Sequence, residues 1–305
     1  MESTTVISAA PGDAMDRIKH VERQYQAFPG SQYVLPSDAQ EAERLSRQHR
    51  LWLNIFGNRL IFPDISFRGD ECILESGTAN GTWLLDVISR DIVPRSVAFE
   101  GIDIEPRIFP VDNALVAARG NVRFSVNTIT KLPLEWENKF TLINQRLLIA
   151  ALRAEEWKLA VGEMYRVLVP GGWVQLGEVG RWEAGPVTAK ATSLIHALFA
   201  AKGMVADCAV QIPDMLRGAG FATIHIEEKV VPISSRVGEE AGEMGKNLID
   251  VMRGMKTPIL NAGGFGIVKS EAEMDALLDA AIEELDRMPS ANIRWSVFCG
   301  QKPVV

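Results

Sequence analysis

The chain has 305 residues, 47% hydrophobic and 23% charged, a balance that excludes a disordered or fibrous polymer and allows a large core with an appended lid. Thirty-nine acids against 32 bases give a formal charge of −7, so no broad phosphate-tracking surface and no nucleic-acid partner is expected. Three scattered cysteines, Cys72, Cys208 and Cys299, lack metal-ligand spacing, and no apolar leader or membrane-length run is present; the expectation is a cytoplasmic protein with no metal and no membrane partner, and a homodimer is left open.

Residues 1–30 read as a weakly ordered lead-in, with helical potential around Asp13 to Phe28. Ser37 to Gln40 has the S-x-x-Q form of a capping box, and Ala42, Leu45, His49, Trp52 and Phe56 follow at helical spacing, which predicts a helical cover over residues 1–70. From Glu71, short apolar runs alternate with helical patterns, the mark of an α/β protein with a parallel sheet. Strands are predicted at 72–76, 97–103, 122–126, 140–144 and 173–178, with helices at about 80–91, 108–119 and 154–168. Helical stretches near 187–204 and 211–219 lead to a strand at 223–233, which ends a core of residues 71–233. Residues 234–290 read as a helical insertion forming part of a lid, and 291–305 as the return to a final strand at 293–300. Within the insertion, Gly263-Gly264-Phe265-Gly266 has no strand before it and predicts a flexible loop, not a phosphate cradle.

The segment from Ile73 to Leu85 carries the chemistry. An apolar run ends in Glu75, a turn bounded by Gly77 and Gly81 follows, and a helical pattern begins, which is how a strand hands over to a helix beneath a bound nucleoside. Asp103 ends the next strand 22 residues after Gly81, where a carboxylate accepts hydrogen bonds from ribose hydroxyls. A dinucleotide would need an unbroken G-x-G-x-x-G, but Ala79 interrupts the series and Glu75 would repel a pyrophosphate. That weighs against a nicotinamide oxidoreductase and favours an adenosyl ligand with a positively charged amino-acid part.

These residues resemble the class I S-adenosylmethionine-dependent methyltransferases. The likeness runs from Glu75-x-Gly77-x-x-x-Gly81 through Asp103 to Trp157, Glu163 and Arg166-Val167-Leu168-Val169-Pro170-Gly171-Gly172-Trp173. More narrowly, Tyr33 to Asp38, Arg44-Leu45, Gln48-His49 and Phe140 to Leu147 resemble fungal secondary-metabolism methyltransferases, the group that includes the LaeA-type regulators. The resemblance implies a Rossmann-like, seven-stranded, mostly parallel sheet with helices on both faces and a helical lid. It implies S-adenosylmethionine as cofactor, with Glu75, Gly77, Thr78, Ala79 and Gly81 around its methionine part, Asp103 on the ribose and Ile104 against the adenine. Asn127, Thr128 and Ile129 would flank the adenine amine, Asn144 and Gln145 would floor the site beneath the sulfonium, and Tyr33 would close over it. Two departures are visible: Ala79 stands where the family has its middle glycine, and Thr128 where it has an adenine-binding acid.

Methyl transfer from a sulfonium is an in-line displacement in which positioning supplies much of the rate, and a base is needed only when the acceptor must lose a proton. His196 and Glu178 are the catalytic candidates, and His225 and His20 are read as structural and exposed. His49, Arg146, Arg181, Trp182, Met252 and Met255 are candidates for the acceptor pocket, the arginines because a guanidinium forks onto a carboxylate. The expected function is methylation of an oxygen or nitrogen of a small, hydrophobic or aromatic metabolite. The alternative, motivated by Ala79 and Thr128, is a non-methylating relative that catalyses rearrangement or cyclisation, or acts as a regulator.

Overall fold

The computed structural model describes residues 17–304. Its centre is a seven-stranded sheet of β1 (Cys72–Ser76), β2 (Ala98–Asp103), β3 (Val122–Val126), β4 (Phe140–Arg146), β5 (Leu168–Glu183), β6 (Ala222–Pro232) and β7 (Asn292–Gln301), in the order β3-β2-β1-β4-β5-β7-β6. The first five are parallel, and β7 runs antiparallel to both β5 and β6. Strand order reverses between β1 and β4, so a crevice opens beyond their carboxyl ends, the usual place for a ligand in such a sheet.

Both faces of the sheet are covered, which is why its strands read as near-continuous apolar runs. Side-chain alternation sends Ile73 and Leu142 to one face, beneath α1 (Ala39–Ile55) and α2 (Thr82–Ser89), and sends Leu74 and Ile143 to the other. On that second face Trp157, Val161 and Met164 of α4 (Ala154–Val167) pack with Ile212 and Leu216 of α6 (Cys208–Gly218). The connection from β6 to β7 holds α7 (Glu239–Gly254), α8 (Lys256–Asn261) and α9 (Glu271–Arg287), which join α5 (Pro186–Lys202) and α1 in the first core. The glycine cluster inside this connection is a 3-10 turn, with Gly263, Gly264, Phe265 and Gly266 all at positive φ.

Several local expectations shift for physical reasons. The first helix caps on Asp38, whose carboxylate accepts from the Glu41 amide at 3.0 Å, one residue later than the capping box predicts. Ser37 is engaged elsewhere: its amide donates to the Gln24 carbonyl and its hydroxyl lies 3.4 Å from Glu105. No helix forms over residues 17–28, while 13–16 lie outside the described residues. This segment is a strap instead, tied by the Tyr25 hydroxyl to the Gly254 carbonyl, by the Arg107 guanidinium to the Tyr25 carbonyl, and by the Ile18 amide to the Leu260 carbonyl. The helix expected at 108–119 begins only at Ala114, as α3 (Ala114–Arg119), because Pro110 cannot donate within a helix. Leu168 already pairs with Phe140; the chain then bulges through Val169–Gly172 and rejoins the ladder at Trp173 opposite Leu142. Among the described residues no helix is long and apolar enough to cross a membrane.

Candidate active site

The turn after β1 alternates left-handed residues, Gly77 at φ 64°, Ala79 at 47° and Gly81 at 68°. A Cβ on Gly77 would fall 2.9 Å from Leu148 Cδ2, so only glycine lets the turn lie against the loop after β4. The Thr78 amide donates to the Ile102 carbonyl at 2.9 Å, and its hydroxyl donates to Glu75 Oε2 at 2.6 Å. The Ala79 amide reaches Asp103 Oδ2 at 2.9 Å, while the Glu105 amide takes Oδ1 at 3.0 Å. One carboxylate thereby fastens the turn to the end of β2.

Burial raises both acids. Glu75 is pushed up to about 7, chiefly by desolvation and against the pull of the Thr78 hydroxyl, and Asp103 is raised by desolvation against the backbone amides of Glu105, Ala79 and Ile104. Ala79 keeps the left-handed backbone that the family's glycine would have, at a steric cost that glycine avoids. Replacing it, Ala79→Gly, is expected to stabilise the protein by about 1 kcal/mol and to raise its melting temperature by about 2 °C in a thermal unfolding scan.

The turn opens into a cavity of about 1130 Å³ lined by the strap, α1 and the carboxyl ends of β1, β2, β4 and β5. It exceeds the ~300–1,000 Å³ of an ordinary small-molecule site, leaving room for two ligands side by side. On the turn's side lie Glu75, Gly77, Thr78, Ala79, Asp103 and Ile104, with Asn127, Thr128 and Ile129 beyond β3 and Tyr33 from the strap. Thr128 shares a 2.8 Å hydrogen bond with the Thr130 hydroxyl. Desolvation raises the Tyr33 phenol, which stays neutral. The opposite wall is mostly apolar, formed by Ile195 and Phe199 of α5, Leu248, Val251 and Met252 of α7 and its C-cap Met255, with Arg181, Trp182 and an exposed His196.

Four expected residues do not reach the cavity. Asn144 and Gln145 stay within the sheet, where Asn144 Oδ1 accepts from Gln175 at 2.8 Å and Gln145 Oε1 accepts from the Ser76 hydroxyl at 2.9 Å. The fourth strand runs two residues further than its apolar pattern predicts, so the segment Arg146 to Ala150 forms the cavity floor instead. Glu178 is likewise buried below the floor, where Oε1 accepts from the Leu148 amide at 2.7 Å. Its position is that of a loop cap and not a catalytic base, because β5 continues to Glu183 and presents Val179 to Trp182 to the cavity. Gly81 also stands back, as the N-cap of α2.

Desolvation pushes Glu178 up to about 8, opposed by backbone amides that include Leu148. A folded-state value above the ordinary one means its contribution is complete below about pH 4.5 and is lost as pH rises through about 8. Glu178→Gln is therefore expected to melt at a higher temperature than the parent at pH 9, by a smaller margin at pH 6, and to show no gain at pH 4.

His49 is bound on both sides. Its Nε2 lies 3.1 Å from Asp86 Oδ2, and its Nδ1 accepts from Arg146 Nη2 at 3.1 Å. Burial and the Arg146 charge push it down to about 4, so the ring is neutral and its lone pair is already engaged. His225 stacks on Trp173 with ring centroids 6.2 Å apart, and His20 is half-buried, not exposed, with Nδ1 2.8 Å from the Ile18 carbonyl oxygen. Sequence reasoning gave no site role to Arg44, Gln48 and Trp52, which line the cavity from one face of α1; their i, i+4 spacing was the available signal.

A family model described as a methyltransferase domain matches residues 73–172. An N-methyltransferase of Leptosphaeria maculans, sirN, is 30% identical over 289 residues, covering 91% of this chain and 97% of its own. An N-methyltransferase of Clonostachys rogersoniana, verN, is 28% identical over 277 residues, covering 89% and 93%. Among solved structures, the Haemonchus contortus phosphoethanolamine N-methyltransferase 2 in complex with S-adenosyl-L-methionine superposes with a TM-score of 0.48 at 16% identity. It is matched over 86% of this chain, which spans about half, 52%, of that longer chain.

Proposed function

The chain belongs to the class I S-adenosylmethionine-dependent methyltransferases, and we propose that it methylates a nitrogen of a small, hydrophobic or planar metabolite. The observation that carries this reading is one cavity with two unlike sides, a buried Glu75 and a half-buried Asp103 facing an apolar wall from α5 and α7. Nitrogen is preferred over oxygen because the two relatives named above, each matched over more than nine-tenths of its own length, are named N-methyltransferases.

The residues present fit the cofactor. A buried Glu75 carboxyl, poised near neutrality by desolvation, suits a cationic amino-acid moiety and would disfavour a pyrophosphate. Asp103 keeps unfilled acceptor positions on both oxygens that would take the ribose hydroxyls, and Ile104 would pack against the adenine, with Asn127, Thr128 and Ile129 along its edge. Tyr33 and the strap close the cofactor side. When bound, the cofactor supplies a methyl group made electrophilic by a positively charged sulfur.

The chain's own residues then position and exclude water. Trp182, Met252 and Met255 provide an adaptable apolar surface for the acceptor. A neutral amine needs no deprotonation before attack, and His49 has no free lone pair to offer as a base. His196, exposed on the acceptor wall, is the group placed to take the proton that leaves the methylated nitrogen.

Incubation with methyl-labelled S-adenosylmethionine and a fungal metabolite extract is expected to put the label on one small molecule, at a nitrogen located by fragmentation. Label on oxygen would replace the acceptor assignment. Turnover of an extract component with the donor unchanged would replace methyl transfer by rearrangement.

A further inference from the structure

Arg146 stands at the junction of the two sides, at the last position of β4 and opposite Gly177 of β5. Among the described residues its only hydrogen-bond partner is the neutral His49 ring, and it forms no salt bridge. The other arginines around it are ion-paired or solvated: Arg44 forks onto Glu41 with contacts of 2.6 to 3.1 Å, Arg153 pairs with Glu156 at 2.8 Å, Arg90 covers Asp86 at 2.6 Å, and Arg181 is exposed. Glu75 and Asp86 act on it only at longer range, Glu75 while it accepts from the Thr78 hydroxyl and Asp86 while it is paired with Arg90.

The guanidinium is nevertheless deliberately seated. Its carbon lies 5.3 Å from the Trp52 ring centroid, and a Cβ on residue 177 would fall 2.3 Å from Trp52 Cη2 and 3.1 Å from Arg146 Cγ, so a glycine at that position makes room for the stack. Asp86 holds His49 through Nε2, which fixes the tautomer whose Nδ1 faces Arg146. A planar fork held from one nitrogen has its remaining donors to offer to the cavity.

A half-buried guanidinium that lines the cavity without a direct ion pair gains from a ligand that brings an oxyanion against it. The cofactor carries one net positive charge, from its sulfonium, ammonium and carboxylate. An anionic oxygen on the acceptor would fill the remaining donors of the fork.

Resting on the methyl-transfer reading, we propose that Arg146 is a specificity-determining residue that binds an oxyanion on the acceptor, and that His49 and Asp86 are positioning residues that present it. The acceptor is then a small apolar molecule with an anionic oxygen near the atom that is methylated. The guanidinium orients that oxygen by a two-donor contact and offsets its charge.

Benzoate and benzamide are matched probes of this contact, measured by calorimetry with and without S-adenosylhomocysteine. Benzoate is expected to bind at least tenfold more tightly than benzamide, and Arg146→Met to erase the difference while S-adenosylhomocysteine affinity changes less than threefold. Arg146→Lys, which keeps the charge and loses the fork, is expected to retain part of the preference. His49→Phe is expected to lose most of it and His49→Gln, which has both an acceptor and a donor, to restore it.

Equal binding of the two probes, or a preference that survives in Arg146→Met, overturns the proposal. So does a large loss of S-adenosylhomocysteine affinity in Arg146→Met with the probe preference intact, which would give the arginine to the cofactor's own carboxylate. Failure of S-adenosylhomocysteine to bind the parent protein would remove the methyl-transfer reading, while the probe preference measured without it still decides the role of Arg146.

Discussion

Asp103→Ala is expected to weaken S-adenosylhomocysteine binding about 100-fold or more. Each oxygen of this carboxylate accepts one backbone amide, from Ala79 at 2.9 Å and Glu105 at 3.0 Å, and each keeps another acceptor position. Hydrogen bonds to a charged partner contribute about 1.5–3 kcal/mol each, so losing two ribose contacts removes about 3 kcal/mol, near two factors of ten in affinity. The substitution also leaves two amides of the turn without an acceptor and loosens the geometry that holds Gly77 against Leu148. Asp103→Asn keeps the shape, but its amide group would face one of those backbone donors, so it is expected to recover less than tenfold. Asp112→Ala, on the exposed loop that follows, is the control and should bind as the parent does. Parent-like affinity in Asp103→Ala would withdraw the ribose assignment.

The parts of this site that were legible in the sequence are those set by local backbone chemistry. Glycines at Gly77 and Gly81, an acid at the end of each of the first two strands and period-two apolar runs fix the turn without reference to the rest of the chain. Errors came where distant residues decide. The helix cap moved from Ser37 to Asp38 because Ser37 bonds to Gln24 and Glu105. The floor moved from Asn144 and Gln145 to Arg146 because pairing with Gly177 carries the fourth strand further than its own pattern does. The apolar pattern of the fifth strand ends at Glu178, yet the antiparallel return of β7 prolongs that strand to Glu183. Arg146 and His49 were each visible as candidates. Their bond was not, since 97 residues separate them.

Glu75 makes cofactor affinity depend on pH in a direction that geometry alone would not reveal. Desolvation holds its carboxyl at about 7 in the free protein, so at pH 6 it is mostly neutral. A cationic ligand favours the carboxylate and draws the proton off. S-adenosylmethionine affinity is therefore expected to rise about eightfold between pH 6 and pH 7.5, following the ionised fraction of one group titrating near 7. Glu75→Gln cannot ionise, so it should bind the cofactor more weakly than the parent at both pH values, by a margin about eightfold wider at pH 7.5 than at pH 6, and show a flat profile in calorimetry. Stability of the free protein runs the other way. A folded-state value above the ordinary 4.5 means the contribution of Glu75 is complete below that pH and is lost as pH rises through about 7. Ligand-free Glu75→Gln should then melt above the parent at pH 8, although it binds the cofactor less well there. A flat parent profile, or a substituted protein whose affinity still rises with pH, would place the titrating group elsewhere and remove Glu75 from the cationic part of the cofactor.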